Sequence, residues 1–315
     1  AYGTYDRHMR PMYWTTNAPR DSFHYVDQWS PTHEADMAIR YLRNEDGQYR
    51  DSDRPFALVV SMNPPHPPYN QVPEKYLQRY HHLDADSLAA SLPNIQAGSR
   101  WEKHFKKYVV PYYAMVTGVD EQFGRILSAL EEEGLSEETL VVFMSDHGCS
   151  LGMHNQPTKN NPYEESMRIP MVLRYPRAAL QGENDLRLSV PDIYPTLLGL
   201  MGFANQVPAG VQGRNFARHL QLDTLAGPGH QLYMKMQYGA PELGARGLRT
   251  ARYTLSMDIT RKGPANIRLY DRASDPYQVQ DLAKERPEVV ERLMEEMTRE
   301  MERIDDPARE WLLSD

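Results

Sequence analysis

The spacing of apolar and polar residues along the chain predicts four helices and several short buried strands. Apolar residues recur at helical intervals over residues 30–42, 106–133, 191–201 and 288–304. Short apolar runs that end in polar residues or prolines predict strands over residues 56–62, 140–144 and 170–174. A helix that leads into a buried strand, as residues 106–144 do, is typical of an α/β sheet covered by helices.

The last part of the chain has a different pattern. Glycine and proline cluster between residues 202 and 229, which indicates a hinge or a domain boundary. Short runs over residues 232–237, 253–258 and 267–271 then predict an antiparallel sheet that is followed by the last helix. We therefore expect a main α/β domain over residues 1–210 and a smaller α+β domain, an antiparallel sheet plus a helix, over residues 211–315.

Composition narrows the class of protein. The 315 residues carry a net charge of −8 without a dense basic cluster, which argues against a nucleic-acid partner. No apolar run approaches the roughly 18 to 20 residues that cross a bilayer, so we expect no membrane span. The single cysteine excludes an internal disulfide framework and leaves the redox compartment open.

Polar side chains follow two of the predicted strands. Asp146 and His147 come directly after the run 140–144, and His66 lies in the proline-rich segment NPPHPPY after the run 56–62. Ligands of open α/β sheets bind at the carboxyl ends of strands. A carboxylate beside an imidazole can ligate a divalent cation, and Lys159 can add a fixed positive charge. This combination predicts a metal-assisted site for an oxyanion ester.

Several motifs, in this order, resemble those of the sulfatases of the alkaline phosphatase superfamily. They are NPPHPPY, YYAMVTGVDEQFGRILSALEEEGL, SDHG, LGMH, a lysine, YEESMRIPMVLRYP, VPDIYPTLLGLMG, VQGRNFARHL and LYDRASDPYQVQDLA. They cover the chain from about residue 30 to its end. The resemblance implies an alkaline-phosphatase-like sheet sandwiched by helices, with a smaller C-terminal subdomain.

The resemblance also implies roles for individual residues. Asp146 and His147 match ligands of a divalent cation, which is usually Ca²⁺ in this family, with Mg²⁺, Mn²⁺ and Zn²⁺ as alternatives. His66 matches the histidine that contacts the sulfate group and assists the leaving oxygen, and Lys159 matches the lysine that binds a sulfate oxygen. His154, in LGMH, contacts the substrate or braces its own loop. A cation, a lysine and a proton-donating histidine suit the charge that develops as a sulfate ester breaks.

Two family features are missing from these residues. Sulfatases carry a pair of aspartates after the first strand, and a Cys/Ser-x-Pro-x-Arg motif whose first residue becomes the formylglycine nucleophile. The only cysteine, Cys149, lacks the proline and arginine of that motif, and we interpret it as a loop residue. We therefore expect the sequence to be the C-terminal two-thirds of a sulfatase, and expect these residues alone to be inactive.

Three functions are compatible with this sequence. The first is a sulfuric ester hydrolase that acts on a small-molecule or carbohydrate sulfate ester. The second is a phosphate or phosphonate monoester hydrolase of the same superfamily, and the third is an inactive chain that only binds an anion or a partner. Phosphate monoesters carry one more negative charge, so a site with a single cation favours sulfate. The habit of the family suggests a periplasmic or secreted location.

Overall fold

The computed structural model describes residues 2–3, 6–15, 18–19, 21–178, 180, 182–222 and 229–312. The chain forms two compact units, of which the first contains Ala1–Ser91 and Ala97–Thr139 and the second contains Leu92–Gln96 and Leu140–Asp315. The domain boundary that we expect at residue 210 stays a prediction. Among the described residues, no helix combines the length and the apolar character that a membrane crossing needs.

In its described residues, the first unit contains a small antiparallel sheet and four helices. Its strands are β1 (Tyr2–Gly3), β2 (Met12–Trp14) and β3 (His24–Tyr25), in the order β1-β2-β3. Its helices are α1 (Ser30–Arg43), α2 (Glu74–Leu77), α3 (Ala85–Ala90) and α4 (Arg100–Glu132), with short 3-10 turns at Glu45–Gly47 and Gln78–Tyr80. The predicted helices over residues 30–42 and 106–133 are therefore confirmed.

The long helix α4 begins and ends where its sequence provides caps. The Ser99 hydroxyl accepts a hydrogen bond from the Glu102 amide at 3.1 Å, which satisfies one of the free N–H groups of the first turn. Gly134 follows the helix with φ +68°, a left-handed conformation that glycine adopts without strain. In the middle of the helix, a Cβ atom on Gly118 would lie 2.5 Å from the Trp29 ring, so the glycine allows this close contact.

The prediction of a strand over residues 56–62 is wrong. None of these residues belongs to a strand, and the Val59 residue is 89% exposed. A strand requires a backbone ladder with a neighbouring strand, and none of the described residues provides one for this segment. The apolar run indicates a preference for burial, but it cannot indicate which strand pairs with it.

The second unit contains the remaining strands and helices. Its strands are β4 (Val141–Met144), β5 (Met171–Arg174), β6 (His230–Gln237), β7 (Ala240–Thr250), β8 (Tyr253–Thr260) and β9 (Gly263–Asp271). Its helices are α5 (Glu164–Met167), α6 (Val190–Leu200), α7 (Ala217–Gln221), α8 (Pro287–Arg303) and α9 (Arg309–Leu312). Short 3-10 turns lie at Met153–Asn155, Pro176–Ala178 and Ala204–Gln206. The strands at 140–144 and 170–174 and the helices at 191–201 and 288–304 are confirmed. The prediction that these two strands are buried is wrong, since no residue of β4 or β5 is buried and Val172 is 60% exposed.

Two separate sheets organise this unit. Strands β4 and β5 pair in antiparallel register, with Phe143 opposite Val172. Strands β6, β7, β8 and β9 form an antiparallel sheet in chain order. Leucines of that sheet and the inner face of α8 form one core, which includes Leu248, Leu255, Leu269, Leu293 and Met297. This arrangement confirms the predicted antiparallel sheet plus helix.

Strand β7 has no counterpart in the sequence prediction, although it is the longest strand of the sheet. Its sequence begins with Ala-Pro and contains Gly244 and Gly247, residues that normally weaken a strand. Gly244 has φ +110°, and a Cβ atom there would lie 2.2 Å from the Lys235 carbonyl oxygen. Strand β7 also carries Arg246, whose buried side chain forms a two-point ion pair with Asp306, at 2.6 and 2.9 Å.

Candidate active site

The turn after strand β4 presents Asp146 and His147. The Ser145 hydroxyl donates to the His147 carbonyl oxygen at 2.6 Å, and the Asp146 carboxylate accepts a hydrogen bond from the His147 amide at 2.9 Å. These local bonds close the turn, and neither of them uses Asp146 Oδ2 or His147 Nε2. The Asp146 side chain is 82% exposed and that of His147 is 32% exposed. Both groups are therefore accessible within this unit.

The hydrogen bonds of His147 determine which ring nitrogen keeps its lone pair. Its Nδ1 lies 2.7 Å from the Gly148 carbonyl oxygen, which can only accept a hydrogen bond, so we assign the proton to Nδ1. In the neutral ring, Nε2 is then the nitrogen that keeps its lone pair. This atom lies 2.7 Å from the Lys159 ammonium nitrogen and 3.3 Å from Asp146 Oδ2. The structure thus brings together Asp146, His147 and Lys159.

Two side chains of this group carry donor atoms of the kind that bind a divalent cation. A carboxylate oxygen and an imidazole nitrogen 3.3 Å apart can bind the same ion, and a backbone carbonyl fixes the orientation of the ring. Within the described residues, no set of three or more His, Cys, Asp or Glu side chains is arranged to hold a metal. Asp146 and His147 fit a cation as two of its ligands.

The loop that carries these groups packs directly on the segment around α5. The Gly148 amide donates to the Ser166 carbonyl oxygen at 2.9 Å. A Cβ atom on Gly148 would lie 2.1 Å from the Glu165 carbonyl oxygen, a distance that no side chain tolerates. Further along, the Ser150 amide donates to the Thr158 carbonyl oxygen at 2.6 Å. Glycine at position 148 therefore allows the SDHG turn to approach α5.

His154 is engaged in contacts within the same unit. Its ring stacks on Tyr163 with centroids 3.6 Å apart and planes 1° from parallel. Its Nε2 lies 3.1 Å from Asn94 Nδ2 and 3.3 Å from Glu165 Oε2, and its side chain is only 7% exposed. These contacts brace the loop against α5. Contact between His154 and a substrate stays a prediction.

His66 belongs to the first unit, whereas Asp146, His147, His154 and Lys159 belong to the second. Its amide donates to the Asn63 carbonyl oxygen at 3.0 Å, and its Nδ1 lies 2.7 Å from the Pro67 carbonyl oxygen. The buried ring of His8 donates from Nε2 to the His66 carbonyl oxygen at 2.7 Å. The proton on the neutral His66 ring therefore belongs on Nδ1.

Sequence reasoning missed the ion pairs that hold the α5 segment. The Glu164 carboxylate accepts two hydrogen bonds from Arg249, at 2.7 and 2.9 Å, and lies 3.7 Å from Arg272 Nε. Burial opposes ionisation of Glu164, but the hydrogen bonds and charges of these arginines outweigh it, and its pKa lies below the ordinary value. The Glu164 amide also donates to Gln278 Oε1 at 2.8 Å. These partners are distant in sequence, and no local pattern indicates them.

Known proteins match this chain over most of its length. The family model described as Sulfatase matches residues 5–203, and the one described as N-sulphoglucosamine sulphohydrolase, C-terminal, matches residues 152–306. The endo-4-O-sulfatase of Bacteroides thetaiotaomicron is 40% identical over 334 residues, which cover 100% of this chain and 64% of that protein. The ulvan-active sulfatase of Formosa agariphila is 32% identical over 82% of this chain and 49% of its own length.

A solved structure agrees with these matches. The crystal structure of a Bacteroides fragilis protein, solved as a candidate sulfatase, has a TM-score of 0.92 and 39% sequence identity to this chain. The superposition covers 99% of this chain and 66% of that protein. The chain thus spans less than two thirds of the length of each of these proteins.

Proposed function

The chain belongs to the sulfatase family, and on this premise we propose that the protein hydrolyses sulfate esters of a carbohydrate. The family match and the structural likeness confirm the resemblance in the sequence motifs and the alkaline-phosphatase-like fold that it implies. The observation that carries the proposal is the cluster of Asp146, His147 and Lys159 at the end of β4. The names of two relatives, an endo-4-O-sulfatase and an ulvan-active sulfatase, support a carbohydrate as the alcohol portion.

Asp146 and His147 are the residues that would hold the divalent cation. Sulfatases depend on a metal as a family, and we propose Ca²⁺ here, with Mg²⁺, Mn²⁺ and Zn²⁺ as alternatives. When bound, such a cation stabilises negative charge on the sulfate oxygens. Asp146 would supply an oxygen ligand and His147 would supply Nε2, which keeps its lone pair because Nδ1 donates to the backbone and which now lies 2.7 Å from the Lys159 ammonium nitrogen.

Lys159 and His66 are the residues that would act on the ester itself. The Lys159 ammonium group would bind a sulfate oxygen, which neutralises charge that increases as the S–O bond breaks. His66, protonated on Nε2, would give that proton to the leaving alcohol oxygen. His154, which is held in place by its stack on Tyr163, would contact the substrate. The Cys/Ser-x-Pro-x-Arg motif of the family nucleophile does not occur in these 315 residues, so the proposal assigns no nucleophile. We also propose a periplasmic or secreted location, on the resemblance alone.

Sulfate release from a 4-O-sulfated oligosaccharide, measured by ion chromatography with the complete protein, tests this proposal. We expect sulfate release by the wild type, and a loss of about 100-fold or more in kcat for His66→Ala. Lys262→Ala, in the exposed turn between β8 and β9, is the matched control for Lys159→Ala and should retain full activity. An aryl phosphate serves as the competing substrate.

Three outcomes would overturn the proposal. Faster hydrolysis of the phosphate would favour the phosphate or phosphonate monoester hydrolase. Release of neither anion would favour a chain that binds an anion without turnover. Full activity of Lys159→Ala and His66→Ala would remove both residues from the site, whatever the substrate.

A further inference from the structure

A fully buried histidine, His8, contacts the segment that carries His66. The residue is 0% exposed, and its Nε2 donates a hydrogen bond to the His66 carbonyl oxygen at 2.7 Å. The two residues are 58 positions apart in the sequence and belong to the same unit. A carbonyl oxygen can only accept a hydrogen bond, so the proton of the His8 ring belongs on Nε2. The other ring nitrogen, Nδ1, therefore keeps its lone pair.

Packing alone does not explain a histidine at position 8. Its Nδ1 is buried without a hydrogen-bond partner among the described residues. A buried polar atom without a partner destabilises a fold, and an apolar side chain of similar size avoids this cost. Burial also lowers the pKa of His8, so the ring is neutral at pH 7. The hydrogen bond to the His66 carbonyl oxygen is a contact that an apolar residue could not make.

Main-chain atoms already attach residue 8 to its surroundings. Gln71 Oε1 accepts hydrogen bonds from the backbone amides of His8 and Met9, at 2.7 and 3.1 Å. The His8 carbonyl oxygen accepts a hydrogen bond from the amide of Ser30, the first residue of α1, at 2.8 Å. These bonds do not involve the imidazole, so they remain when the side chain is replaced. The ring adds the contact with His66 to a segment that is already held.

The segment around His66 has few backbone groups that can fix its position. Residues 64, 65, 67 and 68 are prolines, which have no amide hydrogen to donate. The His66 amide donates to the Asn63 carbonyl oxygen at 3.0 Å, and His66 Nδ1 lies 2.7 Å from the Pro67 carbonyl oxygen. The peptide group between His66 and Pro67 contains the carbonyl oxygen that His8 holds. The orientation of the His66 ring therefore depends on this peptide group.

We propose that His8 is a positioning residue that keeps the imidazole of His66 in the orientation from which it protonates the leaving oxygen. This inference rests on the proposed function, in which His66 gives a proton to the alcohol. His8 acts through the carbonyl group of His66 and, being fully buried, does not contact the substrate. Without its hydrogen bond, the peptide group between residues 66 and 67 rotates more freely, and the ring occupies the productive orientation less often.

Two variants of His8 in the complete protein separate the hydrogen bond from packing. His8→Leu keeps a buried side chain and removes the donor, whereas His8→Gln keeps an amide N–H near the position of Nε2. His24→Leu, at an exposed position in β3 of the same unit, is the control for the loss of a histidine. Thermal unfolding verifies that all three variants fold.

Two substrates report on the proton that His66 supplies. One is a carbohydrate sulfate ester, whose alkoxide is a strong base and needs a proton in order to leave. The other is 4-nitrophenyl sulfate, whose phenolate is a weak base and leaves without one. A variant that only loosens the fold should affect both substrates alike.

We expect His8→Leu to lower kcat about tenfold for the carbohydrate ester and less than about twofold for 4-nitrophenyl sulfate. KM should change little for either substrate, because His8 acts on the proton donor and not on binding. His8→Gln and His24→Leu should keep kcat within about twofold of wild type. An equal loss for both substrates, or the same loss in His8→Gln, would overturn the proposal.

A double variant tests whether His8 acts through His66. In the His66→Ala background the proton donor is absent, so His8→Leu should cause no further loss of kcat. A further loss of about tenfold in that background would show that His8 acts on another part of the protein, and would reject the proposal.

Histidine ¹⁵N NMR separates this inference from the proposed function. In alkaline buffer, where the rings are neutral, the His66 signals, identified by their absence in His66→Ala, report which ring nitrogen carries the proton. We expect the Nδ1–H form in the wild type and in His8→Gln, and a mixture of both tautomers in His8→Leu. If the wild type releases no sulfate, the proposed function fails and this spectrum still tests the contact. An unchanged His66 tautomer in His8→Leu would reject the inference.

Discussion

The ammonium nitrogen of Lys159 lies 2.7 Å from Nε2 of His147, the atom that we assign as a metal ligand. A cation at that nitrogen has to displace this hydrogen bond and approach a positive charge. We therefore expect Lys159→Met to bind Mn²⁺, used as the probe ion, about tenfold more tightly at pH 7, a gain of about 1.4 kcal/mol. Titration calorimetry with the metal-free protein measures the affinity.

Lys262→Met is the control for this prediction, because it removes the same charge from the exposed turn between β8 and β9. Its Mn²⁺ affinity should equal that of the wild type. Weaker binding to Lys159→Met would show that the lysine supports the ion instead of competing with it. Unchanged binding would place the ion away from His147.

Gly148→Ala should separate the SDHG turn from the α5 segment. The new Cβ atom would lie 2.1 Å from the Glu165 carbonyl oxygen. Neither atom moves when a side chain changes rotamer, so only a shift of the backbone can relieve the overlap. We expect a loss of about 1–3 kcal/mol in the free energy of unfolding, in the range of other overpacked sites. Urea denaturation measures this loss, and Mn²⁺ affinity reports on the position of Asp146 and His147.

Gly124→Ala is the matched control, because a Cβ atom on Gly124 in α4 meets no atom within 4 Å. It should be neutral or stabilise the protein by up to about 1 kcal/mol, since alanine favours a helix over glycine. Equal stability of the two variants would mean that the turn moves freely, and that its contact with α5 does not position the site.

The sequence predicts a feature correctly where the residues that determine it are close together along the chain. Helices α1 and α4 follow from periodic apolar residues and local caps, so the sequence predicts both. The polar turn after β4 follows from its own composition. The prediction of a strand over residues 56–62 is wrong because strand pairing involves residues that are distant in sequence. Strand β7 was missed because its glycines and proline are residues that normally argue against a strand.

In the candidate site, too, the sequence indicates contacts between neighbouring residues and misses those between distant ones. Asp146 and His147 are neighbours in sequence, and their position after an apolar run was enough to propose them as a pair of ligands. Lys159 was proposed from its charge, the family resemblance then matched it to a lysine that binds a sulfate oxygen, and its contact with His147 required the structure. The pairing of Glu164 with Arg249 spans 85 residues, so composition alone offered no sign of it.

Glu34 makes the stability of the first unit depend on pH. Its carboxyl group accepts a hydrogen bond from the Tyr13 hydroxyl at 2.9 Å, its residue is 8% exposed, and its second oxygen is buried without a hydrogen-bond partner in the described residues. Burial raises the pKa of Glu34 from 4.5 to about 8, although the Tyr13 hydrogen bond opposes the rise. The folded protein therefore keeps Glu34 protonated at pH values where the unfolded chain has ionised it.

The direction of the effect follows from this difference. Between pH 4.5 and pH 8 the folded state binds the additional proton, so the stability that Glu34 contributes is complete below pH 4.5 and decreases as the pH rises to 8. The total change should be on the order of a few kcal/mol. Glu34→Gln keeps a neutral group of the same shape, and we expect it to remove this pH dependence.

Hydrogen–deuterium exchange of the α1 amides, expressed as protection factors at pH 5, 6.5 and 8, measures this effect locally. In the wild type, protection should decrease toward pH 8, whereas in Glu34→Gln it should remain level. Glu45→Gln, at an exposed position of the same unit, should follow the wild type. Level protection of wild-type α1 from pH 5 to pH 8 would show that Glu34 is already ionised in the folded protein at pH 5, because neither the folded nor the unfolded state would then exchange a proton over this range.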